Sequence, residues 1–491
     1  MRKLKLTTIF LIIVGFILSM AGLQKGYADD APDGNAPDGN ATFDIVLTKM
    51  KLNDLSGWPK GEGKDEYSGA KLDLQSYFGT TETLDGVHFE VYKKVKDKDK
   101  DTREFVTEGK TANGGQITFK GLKAGTYVIV ENKEESEVDT AEQLADSRAV
   151  PMEITLPVYK AGGGWFTTVA EENAVHVYPK NTVDQPTINK VVSEKYKHDT
   201  VAYGDKKTFT ITSEMPKGIA DYKVLKYFDQ FSKGLSYQGE LEVKKNDKTI
   251  PAENYILTEP SVGTREATIE VAFKEEYIKT LEAGDVITIT YEASINEDAV
   301  MGTANPNDVK VTYGHNPDFT KDYELEEIPE LHTGGAKFVK QDRTTQDKLE
   351  GAKFVVKNSA GKYLNQTVKD GLITATSWVD SDKEATKFIS DNKGTFEVKG
   401  LAYGSANEKH NEASSTYYLV EVTAPEGYAK LKEPIKFTVH ASSYQDTNPI
   451  PVYNSQVTIP QTGGIGSAIV IGLGLLAISF GLVTKLKTVE K

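Results

Sequence analysis

From about residue 43 to residue 457 the chain is written in short alternating apolar and polar runs rich in Val, Ile, Thr, Tyr and Phe. Gly, Asn and Asp break one run from the next. Phe43–Leu47, Val87–Tyr92, Thr126–Val130, Lys207–Thr212, Val286–Ala293, Val309–Tyr313, Lys353–Lys357 and Ile435–Val439 carry the period of two that half-buried strands require. Helical periodicity is scarce, with Asp139–Asp146 and Asp382–Ile389 as candidates. The Lys and Asp alternation of Lys93–Arg103 reads as a solvated hairpin tip. Proline-bearing links at Pro179–Pro186 and Pro451–Pro460, and the acidic stretch Tyr323–Gly335, divide the run of strands. The pattern predicts an all-β protein of three tandem Ig-like β-sandwich domains, 43–184, 185–331 and 332–457, each of ordinary domain size.

The two ends are patterned differently. Arg2, Lys3 and Lys5 precede an apolar run from Leu6 to Met20, and Gly26-Tyr27-Ala28 offers the small residues that a signal peptidase reads. Residues 1–28 therefore read as a secretory signal, cleaved after Ala28, because the apolar run is short of the ~20 residues a membrane span needs. Residues 29–42 contain Ala-Pro-Asp-Gly-Asn twice and read as a flexible leader. At the far end Ile465–Val483 is apolar or glycine almost throughout, about 19 residues, long enough to span a bilayer. Lys485, Lys487 and Lys491 after it would hold that end in the cytoplasm. Just ahead lies Ile459-Pro460-Gln461-Thr462-Gly463, in which proline favours an extended strand and Gly463 permits close approach of an enzyme to the backbone. This pentapeptide, span and basic tail (458–491) resemble the cell-wall sorting signal of Gram-positive surface proteins, with Ile459 in place of the usual Leu. The resemblance implies cleavage by a sortase between Thr462 and Gly463 and transfer of the Thr462 carbonyl to an amine.

Composition narrows the chemistry. The 491 residues carry a formal net charge of -14 and no cysteine. Disulfides, thiolate catalysis and Cys-ligated zinc are excluded, and an acidic chain is a poor partner for nucleic acid. The seven His are scattered without metal-ligand spacing, and no glycine-rich phosphate loop or nucleophile–base cluster appears. No metal, cofactor or enzymatic turnover is expected. A secreted chain without disulfides raises the question of another covalent staple.

Each predicted domain opens with a lysine inside an apolar strand: Lys49, Lys190 and Lys340. Alternation from Ile45 and Leu47 points Lys49 into the core, and alternation from Phe338 does the same for Lys340. A buried ammonium is costly without a partner. Each domain also holds an acid within a strand, Glu131, Asp229 and Glu421, and an asparagine beside a strand near its end: Asn181, Asn307 and Asn454. Lys, Asn and acid gathered in an apolar core are competent to form an amide. Burial favours the neutral amine and the protonated carboxyl, proximity supplies the rate, and ammonia leaves. These residue types alone leave an ion pair beside an uninvolved asparagine equally open.

Three motifs bear on that choice. Tyr417-Tyr418-Leu419-Val420-Glu421-Val422-Thr423-Ala424-Pro425-Glu426-Gly427-Tyr428 resembles the E-box of Gram-positive pilins, with Val422 where Thr is usual. Leu349-Glu350-Gly351-Ala352-Lys353-Phe354 resembles the opening of collagen-adhesin B-type domains. Val175-His176-Val177-Tyr178-Pro179-Lys180 resembles the pilin motif, although Trp165 lies further upstream than the family's tryptophan. The chain thus resembles a sortase-assembled major (backbone) pilin with collagen-adhesin A- and B-type domains. The resemblance implies intradomain bonds Lys49–Asn181, Lys190–Asn307 and Lys340–Asn454, promoted by Glu131, Asp229 and Glu421. For Lys190 it leaves Asn305 and Asn316 as alternatives to Asn307. It makes Lys180, expected to be exposed and rigidly held, the amine that receives Thr462 of a neighbour. It implies as partners a pilus-specific class C sortase, a housekeeping sortase, identical subunits head to tail, minor tip and base pilins, and peptidoglycan, and it places the product on the cell wall. The alternative is a wall-anchored monomeric adhesin that binds host matrix, which has no need of a linkage lysine.

Overall fold

A computed structural model describes residues 37–53, 69–97, 100–138, 142–147, 152–160, 162–369, 371–444, 447 and 449–457. The secretory signal, the leader up to residue 36, the sorting pentapeptide with Thr462, and the apolar span lie outside the described residues. Among the described residues no helix is long and apolar enough to cross a membrane. The leader's last residues do not continue as open chain: an Ala41 N–H to Asp38 carbonyl bond of 2.7 Å closes a turn, and Ala41 packs on the first core.

The all-β reading holds, and the strands gather around three principal apolar cores. In the first unit, Phe43–Thr48 lies antiparallel to Gln116–Leu122 and parallel to Val175–Val177. Lys100–Lys110, His88–Asp97, Gly125–Asn132 and Met152–Leu156 form a second sheet in that order. Side chains such as Ile45, Leu47, Phe89, Val91, Tyr127 and Ile129 fill the space between. All six residues of Phe43–Thr48 are buried, so that strand is covered on both faces. A small third sheet joins Met50–Lys51, Lys180–Asp184 and Gln143–Ser147.

In the second unit a five-stranded sheet runs Asn189–Val192, Lys206–Glu214, Val286–Ile295, Leu235–Lys245, Lys248–Thr249. The other sheet includes Asn305–Asn316, Val224–Phe231 and Thr268–Phe273 as neighbours. Burial in Val224–Phe231 and Val286–Ile295 alternates with period two, as one core-facing side demands. The third unit sets Gly334–Asp342 between Thr395–Leu401 and Ile450–Asn454. Leu372–Val379, Tyr363–Lys369, Lys353–Lys357, Ser414–Thr423 and Ile435–His440 form its second sheet in that order.

Both helix candidates are corrected. Within Asp139–Asp146 the described residues enter the edge strand Gln143–Ser147, whose ladder to Lys180–Asp184 takes up the backbone groups that a helix would have used. Asp382–Ile389 is a turn followed by the two-residue strand Phe388–Ile389. The Lys93–Arg103 run lies on a hairpin, Lys93 opposite Glu104 and Lys94 opposite Arg103. The acidic link at 323–335 is largely strand: Phe319–Glu324 and Glu330–His332 pair within the second unit, and Gly334–Asp342 opens the third.

Candidate functional site

The first and third clusters share one construction. Two strands run parallel with Lys340 opposite Val452 and Asp342 opposite Asn454. The asparagine therefore sits two residues beyond the lysine's own partner, on the same face of the pleat. The first unit repeats this offset: Asn181 is opposite Lys51, two residues past Lys49. The acid comes from the facing sheet in both, where Glu131 stands opposite Phe89 and Glu421 opposite Phe354.

The side chains meet in the core. Lys49 and Lys340 are 0% exposed, as is Asn181. Lys49 Nζ contacts Asn181 Oδ1 and Glu131 Oε2, and Asn181 Nδ2 donates to Glu131 Oε1 at 2.8 Å. The Lys49 ammonium also lies 5.5 Å from the Phe89 ring centroid. Lys340 Nζ donates to Asn454 Oδ1 at 2.6 Å and to the Val452 carbonyl at 3.1 Å. Asn454 Nδ2 lies 3.0 Å from each Glu421 oxygen, and the Leu431 N–H donates to Glu421 Oε2 at 2.7 Å. Glu421 and Lys340 are 4.0 Å apart, so the carboxylate holds the amide more closely than the amine. Burial pulls Lys49 below the usual lysine range and lowers Lys340 to about 8, each against the pull of its acid. A neutral amine is thereby brought within reach at ordinary pH.

The second cluster draws on different strands. Among the described residues the strand of Lys190 pairs with Lys206–Glu214, while Asn307 and Asp229 lie on adjacent antiparallel strands of the other sheet, Asn307 opposite Phe231 and Asp229 opposite Val309. Lys190 Nζ donates to Asp229 Oδ2 at 2.6 Å and to the Asp308 carbonyl at 3.1 Å. Burial lowers Lys190 to about 8 and pushes Asp229 upward. Of the three asparagines considered, Asn307 is fully buried and reaches this cluster through Tyr291. The Asn305 side chain instead donates to the Thr303 and Leu331 carbonyls, both at 3.2 Å. Asn316 caps a turn by accepting from the Asp318 N–H at 2.8 Å. Tyr291 escaped the sequence reading, because one tyrosine in regular alternation carries no signal of a polar role.

Lys180 departs from expectation. It is half-buried, because Phe78 of the short helix Leu74–Phe78 packs with Met50, Leu52 and Tyr178 in a small satellite cluster beside it. Asp73 caps that helix by accepting from the Ser76 N–H at 2.7 Å. The Lys180 ammonium donates to the Tyr178 carbonyl at 3.0 Å and lies 5.4 Å from the Phe78 ring centroid. Burial first, and then the charge of Lys49, lower it to about 8. Trp165 is bridged to Tyr159, with ring centroids 5.0 Å apart.

The family described as Gram-positive pilin subunit D1, N-terminal domain, matches residues 40–182, and the prealbumin-like fold domain matches residues 334–449. The fimbrial subunit type 1 of Actinomyces viscosus is 26% identical, over 98% of this chain and 96% of its own length. The full-length RrgB pilus protein of Streptococcus pneumoniae is 19% identical with a TM-score of 0.61, over 87% of this chain and 100% of that one, a likeness of fold. The full-length major pilin SpaD of Corynebacterium diphtheriae is 22% identical with a TM-score of 0.48, over 86% and 98%. The chain thus carries a Gram-positive pilin domain at its start and a prealbumin-like domain at its end, and is similar to a fimbrial subunit along nearly its whole length, which marks it as a structural subunit of a surface pilus.

Proposed function

We propose that this pilin is a shaft subunit joined covalently to its neighbours. A pilus-specific sortase would cleave between Thr462 and Gly463 and pass the Thr462 carbonyl to Lys180 Nζ of the next subunit. The observation that carries the reading is the setting of Lys180. Its amine is lowered to about 8 and held beside Phe78 and the Tyr178 carbonyl, one residue before Asn181. A lowered lysine is a better nucleophile at neutral pH because more of it is uncharged.

In the same reading each of the three domains, 43–184, 185–331 and 332–457, closes its own amide: Lys49–Asn181, Lys190–Asn307 and Lys340–Asn454. The buried lysines with lowered pKa and their carboxyl partners support it. Borrowing the chain-entropy account of disulfides, a loop of more than a hundred residues stabilises each domain by about 4–5 kcal/mol. Because Lys180 and Asn181 are consecutive, tension entering at the linkage lysine would pass almost directly into the first-domain bond. A housekeeping sortase would attach the finished polymer to peptidoglycan, with minor pilins at tip and base.

The test is Lys180→Ala in cells that carry the assembly sortase. The ladder of covalent multimers on denaturing gels of wall extracts should vanish while monomer persists. A ladder that survives the substitution refutes the linkage, and a wild type that forms none favours the monomeric adhesin.

A further inference from the structure

The acid touches the asparagine directly in the first and third units, Glu131 to Asn181 at 2.8 Å and Glu421 to Asn454 at 3.0 Å. In the second unit a tyrosine hydroxyl stands between them. Tyr291 Oη donates to Asp229 Oδ2 at 2.8 Å and accepts from Asn307 Nδ2 at 2.8 Å. Topology provides the reason. Asp229 and Asn307 share one sheet, whereas Tyr291 reaches across from the middle strand of the sheet that carries Lys190. Its ring is fully buried and stacked between Phe209 and Phe231, with centroids 5.8 and 5.4 Å away. Among the described residues, Asp229 Oδ1 and Asn307 Oδ1 are buried without a hydrogen-bond partner.

We propose that Tyr291 is a catalytic residue of the second-unit cross-link, relaying a proton between Asp229 and the carboxamide of Asn307. The proposal rests on the reading that Lys190 and Asn307 become joined. Neutral Lys190 Nζ attacks Asn307 Cγ, the new C–N bond forms, and the carbonyl electron pair moves onto Oδ1. Attack turns Nδ2 from a planar amide donor into an amine with a free lone pair, so the Tyr291 hydroxyl rotates from Asp229 towards Nδ2 and gives it its proton as the Asp229 carboxyl gives its own to the Tyr291 oxygen. The resulting Asp229 carboxylate takes one proton from Nζ. The oxygen pair returns, the Cγ–Nδ2 bond breaks, and ammonia leaves. Acid and phenol end as they began, and the net change is amine plus primary amide to secondary amide plus ammonia. Burial supports these roles, because it pushes both the Asp229 carboxyl and the Tyr291 hydroxyl towards their protonated forms.

The experiment compares residues 29–462, which carry all three cores, as wild type and as Tyr291→Phe. Phenylalanine keeps the stacked ring and removes only the hydroxyl. Intact mass and peptide mapping are followed over time after synthesis. Each form is compared with its own sequence mass, because Tyr291→Phe itself removes about 16 Da, and the variant should have lost one ammonia, about 17 Da, fewer than wild type. The missing link should map to Lys190 and Asn307, with bond formation there slowed at least ~100-fold, the scale of general acid–base assistance. Intact bonds in the first and third units, together with an unchanged far-ultraviolet circular dichroism spectrum, report that the variant is folded. Should it misfold, 3-fluorotyrosine at position 291 alters the phenol's acidity at nearly constant shape, and a rate that moves with that acidity supports the relay. A wild type bonded at Lys190 and Asn307 with the Phe or fluorotyrosine form bonding equally fast overturns the relay alone. A wild type without that bond overturns the relay and the second-unit cross-link together.

Discussion

Lysine is the residue on which this molecule turns, and its four special lysines differ in what surrounds the amine. Lys49, Lys190 and Lys340 are wholly enclosed, each with an acid and an asparagine in its cluster. Lys180 is only half enclosed, and burial against the Phe78 cluster does most of the lowering. Because its protonated form is lost as pH rises through about 8, the neutral fraction grows across that interval. The initial rate of sortase transfer to Lys180, divided by transfer to a small soluble amine, should rise between about pH 7 and about pH 9 and then level off. Phe78→Ala should move this rise to higher pH by admitting water to the ammonium, and a profile indifferent to Phe78 contradicts the role given to the ring. Glu421→Gln should leave Lys340 and Asn454 unjoined, so that, against its own sequence mass, the chain has lost one ammonia, about 17 Da, fewer than wild type, and its third unit is cut more readily by protease. An unchanged ammonia deficit removes Glu421 from the chemistry.

At the level of elements, the parallel pairing of each unit's opening strand with a late one sets lysine and asparagine together in the first and third units. That register was invisible in the sequence, where Lys340 and Asn454 are 114 positions apart, although the apolar alternation around each lysine was plain. The strands themselves were legible because a two-residue period and β-branched residues agree with a half-buried pleat. The helix candidates failed where a partner strand overruled local pattern, as Lys180–Asp184 does for Gln143–Ser147. Burial of Lys180 escaped notice because Phe78 comes from far upstream, and Tyr291 because its role depends on what the opposite sheet presents. The third core offers a direct check on this layout. Phe338 is 0% exposed, stacked on Phe396 at 5.0 Å and edge-on to Phe437 at 5.1 Å. Phe338→Ala should cost the third unit about 3–5 kcal/mol, read as a fall in its denaturant midpoint. A midpoint that does not move would place Phe338 outside the core.

Across the whole molecule, polar contacts tie the units end to end. His315 lies buried at the first junction, its ring nitrogens 3.0 Å from the Asp221 carbonyl and 2.8 Å from the Leu144 carbonyl, with Lys133 paired to Asp221 at 2.6 Å alongside. At the second junction the Tyr203 N–H donates to the Gly400 carbonyl at 3.1 Å, and the Tyr403 N–H donates to Thr200 Oγ1 at 2.7 Å. Gly400 has a φ of +67°, and a Cβ there would fall 2.3 Å from the Tyr203 ring. Gly400→Ala should therefore loosen this junction while leaving both cores folded. Limited proteolysis should then separate the second and third units faster than in wild type, and an unchanged cleavage rate would contradict the contact. A shaft that bears tension would gain from such junctions only if its units do not themselves unravel, which is what the three proposed amides would prevent.

The most direct test of those amides is the intact mass of residues 29–462 produced in a host without a sortase. The account predicts a mass below the sequence value by three ammonias, about 51 Da, with peptide mapping joining Lys49 to Asn181, Lys190 to Asn307 and Lys340 to Asn454. A mass equal to the sequence value would contradict it, leaving the three lysines as buried ion pairs.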